Sequence, residues 1–445
     1  MQIFTCVRSL FALLLVFTAV GLSRTAPAGA ASPETPLDLA ETIRAVLVAN
    51  LDIQIAREGI SASQAAEKSQ QAQFLPKFDT AYQYIRNDSE FSAPGIGLVS
   101  PRDEYHLSTS ITQPLFTGFA LYNRYQLAAL GLDAAKINSQ VARQNTIFEA
   151  KKRYFDLLKA QKLLVVAEET VTQLKAQLEV SQNFYNVGMI PLNQVLQSNV
   201  ELSNAEQNRI VAENRLELAR ANLNVLLRRP VNAPIQIVDI HTYEPFNLDI
   251  TDCLQAAQDS RQELKIAALD IQVADRQLDL AKSDYYPMLN LQWLYSQSGD
   301  QWDAKGGVGA FSDSSSWEIS ATASWTFWEW GKTHYAVKQK EAQARQARMR
   351  YDQLHDQVQV EVKGAYLNTV ESEKNIHTNE AAIEQARENH RINQERFKEQ
   401  VATATDVLDA QTLLTRTKTN YYNALYDFKI SKASLYRAMG QEVLE

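Results

Sequence analysis

The stretch SWTFWEWGK, residues 324–332, contains three of the six tryptophans in this 445-residue chain. The other three tryptophans also lie between residues 293 and 330. Apolar and polar side chains alternate from Trp317 to Phe327, and a helical pattern begins a few residues later. Aromatic side chains have an apolar body and a polar tip, so they collect where lipid meets water. We therefore predict that Trp325, Trp328 and Trp330 form a membrane-interface girdle at the end of a membrane strand.

Three other segments have the same period of two, which indicates half-buried or lipid-facing strands. The alternating positions of the four segments are Phe78, Thr80, Tyr82 and Tyr84; Tyr105, Leu107, Thr109 and Ile111; Leu289, Leu291, Trp293 and Tyr295; and the odd-numbered residues from Trp317 to Phe327. Each segment has about the 9–11 residues of a tilted membrane strand. A sheet in lipid must close, and the smallest membrane barrels have about eight strands. The chain should therefore oligomerise. A trimer would supply twelve strands, while a dimer or tetramer is also compatible with the sequence.

The chain contains an internal duplication. LDLAE at residues 37–41 matches LDITD at 248–252, and FLPKFD at 74–79 matches YYPMLN at 285–290. The sequence predicts a signal peptide (1–30), two structural repeats (31–240 and 241–440) and a short tail (441–445). The first repeat should contain a helix, strands 74–90 and 104–116, and long helices 119–187 and 192–229. The second repeat should contain a helix, strands 285–296 and 316–328, and long helices 332–400 and 405–439. At ~1.5 Å per residue, the longest helices would reach roughly 100 Å and must pack side by side as coiled coils.

The residue composition limits the compartment, the partners and the chemistry that the protein can have. An apolar run followed by small residues within 1–30 predicts a cleaved secretory signal, and the one cysteine beyond it, Cys253, allows no internal disulfide. The net charge of −8 argues against a nucleic-acid partner. After residue 30 the sequence offers no stretch of 18 consecutive apolar residues. The six histidines show no metal-ligand spacing, so we expect no metal site, no cofactor and no enzymatic activity.

Several motifs, in this order and spacing, resemble those of the TolC-like outer-membrane efflux proteins. They are LDLAETIRAVLVANLDIQIA, FLPKFD, YYPMLNL, QPLFTGF, WTFWEWGK, YNVGMIPLNQVLQS, TDVLDAQ and the closing LYRAMG. The resemblance covers the chain after the signal peptide. It implies an α+β membrane protein, a homotrimer in which four strands per chain build a 12-stranded β-barrel in outer-membrane lipid. A long periplasmic α-helical coiled-coil tunnel would continue that barrel.

The function implied by the resemblance is passive export through the Gram-negative outer membrane. An inner-membrane RND, ABC or similar transporter would deliver substrates through a periplasmic adaptor (membrane fusion) protein, in efflux or in type I secretion. The alternative from the sequence is a soluble periplasmic coiled-coil scaffold or adaptor. That alternative explains the long helices but not four strand-length segments with tryptophans at their ends.

The resemblance also assigns a pore constriction. In the family, the DVLD motif places two acidic rings at the closed end of the tunnel, and Asp406 and Asp409 match it here. Their i, i+3 spacing places both on one helix face. The rings would favour cations and help to gate the entrance. The plainer interpretation is that Asp406 complements a helix N-terminus and that Asp409 is a solvated surface residue.

Two further sites depend on the resemblance. Val187, Gly188 and Met189 resemble the turn that meets the adaptor, whereas the matching second-repeat residues, Glu399 to Val401, depart from that pattern. The positions of the family's closed-state lock are occupied by residues that cannot reproduce it: Gln194, Phe397 and Ala402. We therefore predict that the tunnel closes through a different or weaker network, which leaves more of the gating to the two aspartates.

Overall fold

The computed structural model describes residues 36–240, 243–306 and 314–443, so the predicted signal peptide lies outside the described residues. The described helices, numbered here in chain order, are α1 (Leu39–Ala49), α2 (Leu51–Ala72), α3 (Ala120–Asn186), α4 (Leu192–Leu226), α5 (Ile250–Ser260), α6 (Gln262–Lys282), α7 (Lys332–Lys398) and α8 (Ala404–Ala438). The described strands are β1 (Lys77–Arg86), β2 (Phe91–Ala93), β3 (Gly97–Ser100), β4 (Asp103–Thr117), β5 (Met288–Gly299) and β6 (Ser314–Ser324).

The two repeats have helices of matching length. Helices α3 and α7 each have 67 residues, and α4 and α8 each have 35. At ~1.5 Å per residue, the longer helices extend for about 100 Å. Helix α3 packs along α4, α7 packs along α8, and contacts between α3 and α8 join the two helical hairpins. Long apolar stripes are thus buried between helices instead of in a globular core.

The strands form one antiparallel sheet in the order β1-β4-β5-β6, and β2 and β3 form a separate small hairpin. A row of directly opposed residues crosses all four strands of the main sheet: Phe78, Ile111, Trp293 and Ile319. Because directly opposed residues share a face, this row forms an apolar band. At the two edges of the sheet, Phe78 and Ile319 are largely exposed in the single chain. Such a band needs lipid or another protein surface to cover it.

Several predicted strand boundaries were wrong. The first strand ends at Arg86 and not at residue 90, and the third spans Met288–Gly299 and not 285–296. Two further differences have a visible cause. The last strand ends at Ser324 and not at residue 328, because its pairing with β5 stops where Met288 faces Ser324. The first strand begins at Lys77 and not at residue 74, because the backbone amides of Phe74 and Leu75 still bond to carbonyls of the α2 C-terminus. Both differences lie where a strand joins a helix.

Each repeat begins with two helices where the sequence predicted one. Asn50 has extended backbone angles between α1 and α2, and its side-chain oxygen caps α2 by accepting from Asp52 N at 2.7 Å. Arg261 makes the corresponding break between α5 and α6. Its buried guanidinium donates to the Ala438 carbonyl at 2.9 Å and to Glu361 at 2.7 Å. These tertiary contacts account for a break that helical periodicity does not reveal.

The largest apolar core lies midway along α3, where α1, α4, α8 and the segment after α4 converge on Tyr154, Leu157 and Leu158. The Tyr154 hydroxyl donates to the carbonyls of Val238, at 2.5 Å, and Leu37, at 3.2 Å. Those two segments also pair with each other through a parallel bridge from Leu37 to Ile237. Burial raises the pKa of Tyr154 to about 12, so the phenol remains neutral and can donate at physiological pH.

We predict that Tyr154→Phe lowers the free energy of unfolding by about 0.5–1.5 kcal/mol, because it removes the hydrogen bond to the Val238 carbonyl. The Leu37 carbonyl keeps Val238 N as a donor at 3.0 Å. Urea denaturation of the purified protein would measure the change. In the wild type, the stabilisation by Tyr154 should be complete below pH 10, the ordinary pKa of tyrosine in the unfolded chain. It should be lost as the pH rises towards 12, because the pKa of Tyr154 in the folded protein is higher than in the unfolded chain. Tyr185→Phe, at a more exposed position on α3, is the control and should change stability little.

Candidate functional site

The tryptophan cluster lies between the end of β6 and the start of α7. All three members, Trp325, Trp328 and Trp330, are exposed, and Trp330 is 87% exposed. Trp325 donates its indole N–H to the Tyr285 carbonyl at 3.2 Å, which joins the cluster to the short 3₁₀ turn that precedes β5. The three tryptophans therefore lie at the end of the sheet where β6 is followed by α7. Their role as a membrane-interface girdle stays a prediction.

Both strand-to-helix junctions contain two consecutive residues in the left-handed region. They are Gly118 and Phe119 before α3, and Trp330 and Gly331 before α7. Glycine therefore occupies the first position in one repeat and the second position in the other. Each junction keeps an exposed aromatic residue in a conformation that costs roughly 1–2 kcal/mol for an L-residue. The repeats thus share a backbone path despite different local sequences.

The two helical hairpins end in turns of the same geometry, which together form what we call the tip. In the first turn, Gly188 has φ 75° and Met189 N donates to the Phe184 carbonyl at 2.8 Å. In the second turn, Gln400 has φ 63° and Val401 N donates to the Arg396 carbonyl at 2.9 Å. The two turns touch, because the Gln400 amide donates to the Met189 sulfur at 3.1 Å.

The tip exposes apolar side chains beside the polar Lys398, Glu399 and Gln400. Val187, Met189 and Val401 are all exposed there. The sequence singled out Val187, Gly188 and Met189 but treated the second turn as a departure from the family pattern. The structure shows that the two turns touch and share one backbone geometry, so the departure of residues 399–401 lies in the side chains and not in the backbone of the turn.

The acidic pair lies at the start of α8. Thr403 is the N-cap, and its backbone N–H and hydroxyl donate to the Asp406 carboxylate at 2.7 and 2.8 Å. Asp406 N donates back to the Thr403 hydroxyl at 3.2 Å, which completes a capping box. Asp409 is exposed one turn later. The local geometry of Asp406 therefore matches the plainer helix-terminus interpretation, while a role in a ring depends on further copies of the chain.

The capping hydrogen bonds from Thr403 lower the pKa of Asp406 below its ordinary value, and Arg396 contributes in the same direction. The carboxylate is therefore ionised across the physiological range. Because the folded-state pKa is lowered, the stabilisation by this cap is present above the ordinary pKa of an aspartate. It is lost only as the pH falls through the lowered value.

Two glutamines of α4 bond to the same end of α8, and we call this contact the glutamine clamp. The Gln194 side-chain oxygen accepts from Ala404 N at 3.2 Å. The Gln197 side-chain oxygen accepts from the Thr405 hydroxyl at 2.9 Å. Since α4 begins at Leu192 and α8 begins 212 residues later at Ala404, Gln194 and Gln197 are the repeat equivalents of Asp406 and Asp409. The second repeat thus has two acidic residues at the positions where the first repeat has two neutral glutamines. These glutamines bond to the start of α8 in the second repeat.

An apolar cluster lies beside the clamp. Phe397 is 2% exposed and packs with Ala404 and Val407. Its ring centroid is 5.4 Å from that of Phe184 in the other hairpin. A hydroxyl on this ring would need a partner inside an apolar cluster. Ala402, the third residue that departs from the family's closed-state lock, is half-buried in the second turn.

The contacts that α8 makes with α3 and α4 of the first repeat change character along the helix. Near the core, Lys159 pairs with Asp427 at 2.8 Å. Closer to the tip, Lys418 pairs with Glu169 at 2.7 Å, and the Thr170 and Thr415 hydroxyls lie 2.9 Å apart. The clamp at the tip is entirely neutral. Charged contacts therefore fasten the repeats near the core, and uncharged contacts fasten them at the end.

Gln197 and Thr405 were not predicted from the sequence. The signal was present, because the internal repeat aligns Gln197 with Asp409, but the repeat does not show which helices meet. In the part of the chain that the structure describes, no group of three or more His, Cys, Asp or Glu is placed to hold a metal ion. None of the described helices is both long enough and apolar enough to cross a membrane.

Comparison with known proteins identifies the family. The outer membrane efflux protein family profile matches residues 42–227 and 253–441, one segment in each repeat. The chain belongs to the outer membrane efflux protein family. It is therefore an outer-membrane protein, and this membership favours a duct over the periplasmic scaffold that the sequence left open.

Individual relatives agree with this assignment. The chain is 22% identical over 389 residues to outer membrane protein TolC of Escherichia coli (strain K12), covering 84% of this chain and 77% of TolC. Its fold is similar to that of the Campylobacter jejuni CmeC outer membrane channel, with a TM-score of 0.79, 17% identity, and coverage of 90% of this chain and 85% of CmeC. The Vibrio cholerae outer membrane protein VceC gives a TM-score of 0.77 at 16% identity, covering 91% of this chain and 96% of VceC. At these identities the two structures support the fold alone.

Proposed function

We propose that the protein is an outer-membrane export duct, which gives passive passage to substrates delivered by an inner-membrane pump through a periplasmic adaptor. The observation that carries this proposal is the open four-stranded sheet with an exposed apolar band, continued by helices of about 100 Å. A sheet in lipid with helices of that length beneath it is suited to a conduit across the outer membrane and periplasm.

Closure of the sheet requires further copies of the chain. Among the described strands, β1 and β6 each pair on one side only. Because neighbouring strands alternate in direction, β6 of one copy would meet β1 of the next in an antiparallel pair. Three copies would then form a closed barrel of 12 strands, which lies within the known range for membrane barrels. A homotrimer is therefore the assembly that we propose.

In this trimer the tips would meet at the far end of the helical tunnel. Asp406 and Asp409 from three copies would form two acidic rings there, which favour cations and narrow the entrance. The exposed apolar surface at the tip, with Val187, Met189 and Val401, would contact the periplasmic adaptor. Trp325, Trp328 and Trp330 would contact the membrane interface around the barrel.

Planar-bilayer recording of the protein purified from outer membranes tests the proposal. We expect extraction to require detergent, and we expect discrete, cation-selective conductance steps. Buffer with the same detergent is the control. Extraction without detergent together with an absence of conductance would refute the duct and support the scaffold.

A further inference from the structure

A groove runs between α3, α4 and α8, on the core side of the glutamine clamp. It consists of two adjoining cavities of about 430 and 400 Å³, which share Leu163, Ala212, Arg215 and Thr419. Each volume is within the range of small-molecule sites, about 300–1,000 Å³. We call this feature the interhelix groove.

The groove combines an apolar floor with basic side chains. Ala160, Leu163 and Ala219 line it, and the exposed Leu218 adds further apolar surface. Arg215 and Arg416 also line it, and within the described residues neither guanidinium forms an ion pair. Two other basic residues of the lining, Arg153 and Lys159, are already paired with Glu149 and Asp427. Asp156 and Glu201 are the acids of the lining.

A buried polar atom in the same groove lacks a partner. Gln411 lines the groove and is only 4% exposed. Its side-chain nitrogen donates to the Thr415 hydroxyl at 3.1 Å, but its side-chain oxygen has no hydrogen-bond partner among the described residues. A buried acceptor of this kind is costly unless a donor reaches it. A ligand with a hydrogen-bond donor would satisfy it.

Helical geometry relates the groove to the acidic pair. Arg416 follows Asp409 by seven residues on α8, which places it on the same helix face and about 10 Å further from the tip. If Asp409 faces the tunnel, as the proposed function requires, Arg416 faces it as well. The tunnel wall directly behind the acidic entrance would then be basic.

We infer that the interhelix groove is a binding site in the tunnel wall for small organic anions that have an apolar body and a hydrogen-bond donor. Arg215 and Arg416 bind the anionic group, the alanine and leucine floor contacts the apolar body, and Gln411 accepts from the donor. The location in the tunnel rests on the proposed function, whereas the anion site itself rests on the groove. Export cargo of this class would pause there after passing the entrance.

Binding of 6-hydroxynaphthalene-2-sulfonate, an aromatic anion whose hydroxyl can donate a hydrogen bond, to protein in lipid nanodiscs tests the site. Calorimetric titration should show saturable binding that weakens at least tenfold in Arg215→Gln with Arg416→Gln. The Arg215→Lys and Arg416→Lys pair should retain most of the affinity. Arg209→Gln is the matched control, because Arg209 is on α4, pairs with Glu213 at 3.2 Å and lies about 120° around the helix from Arg215. Equal binding by the wild type and the double glutamine variant would overturn the site. An absence of wild-type binding would also overturn it, as expected if a second copy of the chain fills the groove.

Current recordings separate this inference from the proposed function. In the wild type, the probe should reduce the current, and the double glutamine variant should be at least tenfold less sensitive. Arginine-dependent binding to a protein without conductance would refute the duct and leave the anion site standing. Normal conductance with binding that does not depend on the arginines would refute the site alone. Arginine-dependent binding that leaves the current unchanged would overturn the location in the tunnel wall.

Discussion

Replacing Asp406 and Asp409 together by asparagine should abolish most of the cation selectivity of the duct. Three copies would place six carboxylates around the entrance. A carboxylate about 6 Å from a permeating cation contributes ~0.7 kcal/mol even at the dielectric constant of water. Six of them give roughly 4 kcal/mol before salt screening. We expect the cation-to-anion permeability ratio, measured from reversal potentials in a salt gradient, to fall about tenfold or more.

A second pair of variants separates charge from size. Asparagine removes the charge but keeps the volume, whereas Asp406→Ala with Asp409→Ala also widens the constriction, so the conductance steps should grow. Asp352→Asn with Asp356→Asn, an exposed pair on α7 far from the tip, should change neither quantity. Unchanged selectivity in both acidic-pair variants would place the constriction elsewhere and leave Asp406 with its capping role.

Removing the glutamine clamp should open the entrance. In Gln194→Ala with Gln197→Ala, each copy loses the hydrogen bonds to Ala404 N and to the Thr405 hydroxyl. A neutral hydrogen bond contributes about 0.5–1.5 kcal/mol net, so the loss in a trimer that opens as a unit is ~3–9 kcal/mol. Since 1.4 kcal/mol is a factor of about ten, we expect at least a hundredfold shift towards the open state. The open probability in single-channel recordings would measure it.

The appropriate control for the clamp is Gln182→Ala, because that side chain bonds within its own helix to Asn186 at 3.1 Å. The clamp contains no titratable group, so its contribution should be the same at pH 5.5 and pH 8. An ionic lock would instead respond to salt and pH. An unchanged open probability in the clamp variant would assign closure to other contacts, above all to the acidic pair.

The sequence predicted the main helical layout because periodicity is a local property. Alternating residues set the four main strands, and the internal duplication anticipated the matched helix lengths. Boundaries were less accurate where strands join helices. The break at Arg261 could not be predicted, because it depends on the Ala438 carbonyl, 177 residues away in the chain.

In the candidate site, too, some features could be predicted from the sequence and others depend on contacts between distant parts of the chain. From the sequence, Gln194 and Phe397 were recognised only as departures from the family's closed-state lock. Such a departure indicates that the lock is absent but does not indicate which contacts take its place. The structure shows that Phe397 fills an apolar cluster and that Gln194 bonds to Ala404, 210 residues later. The role of Gln197 could not be predicted, because an exposed glutamine on a helix has no distinctive sequence pattern.

By itself, the sequence therefore determined the family resemblance, the duplicated architecture, the tryptophan cluster and the positions of the turns. All of these depend on residue order and on the burial period of each element. Only the tertiary structure decided which face of α4 meets the start of α8, and that Arg215 and Arg416 line one groove. Periodicity shows that a helix face is buried, but the partner of that face depends on how the long hairpins pack against each other.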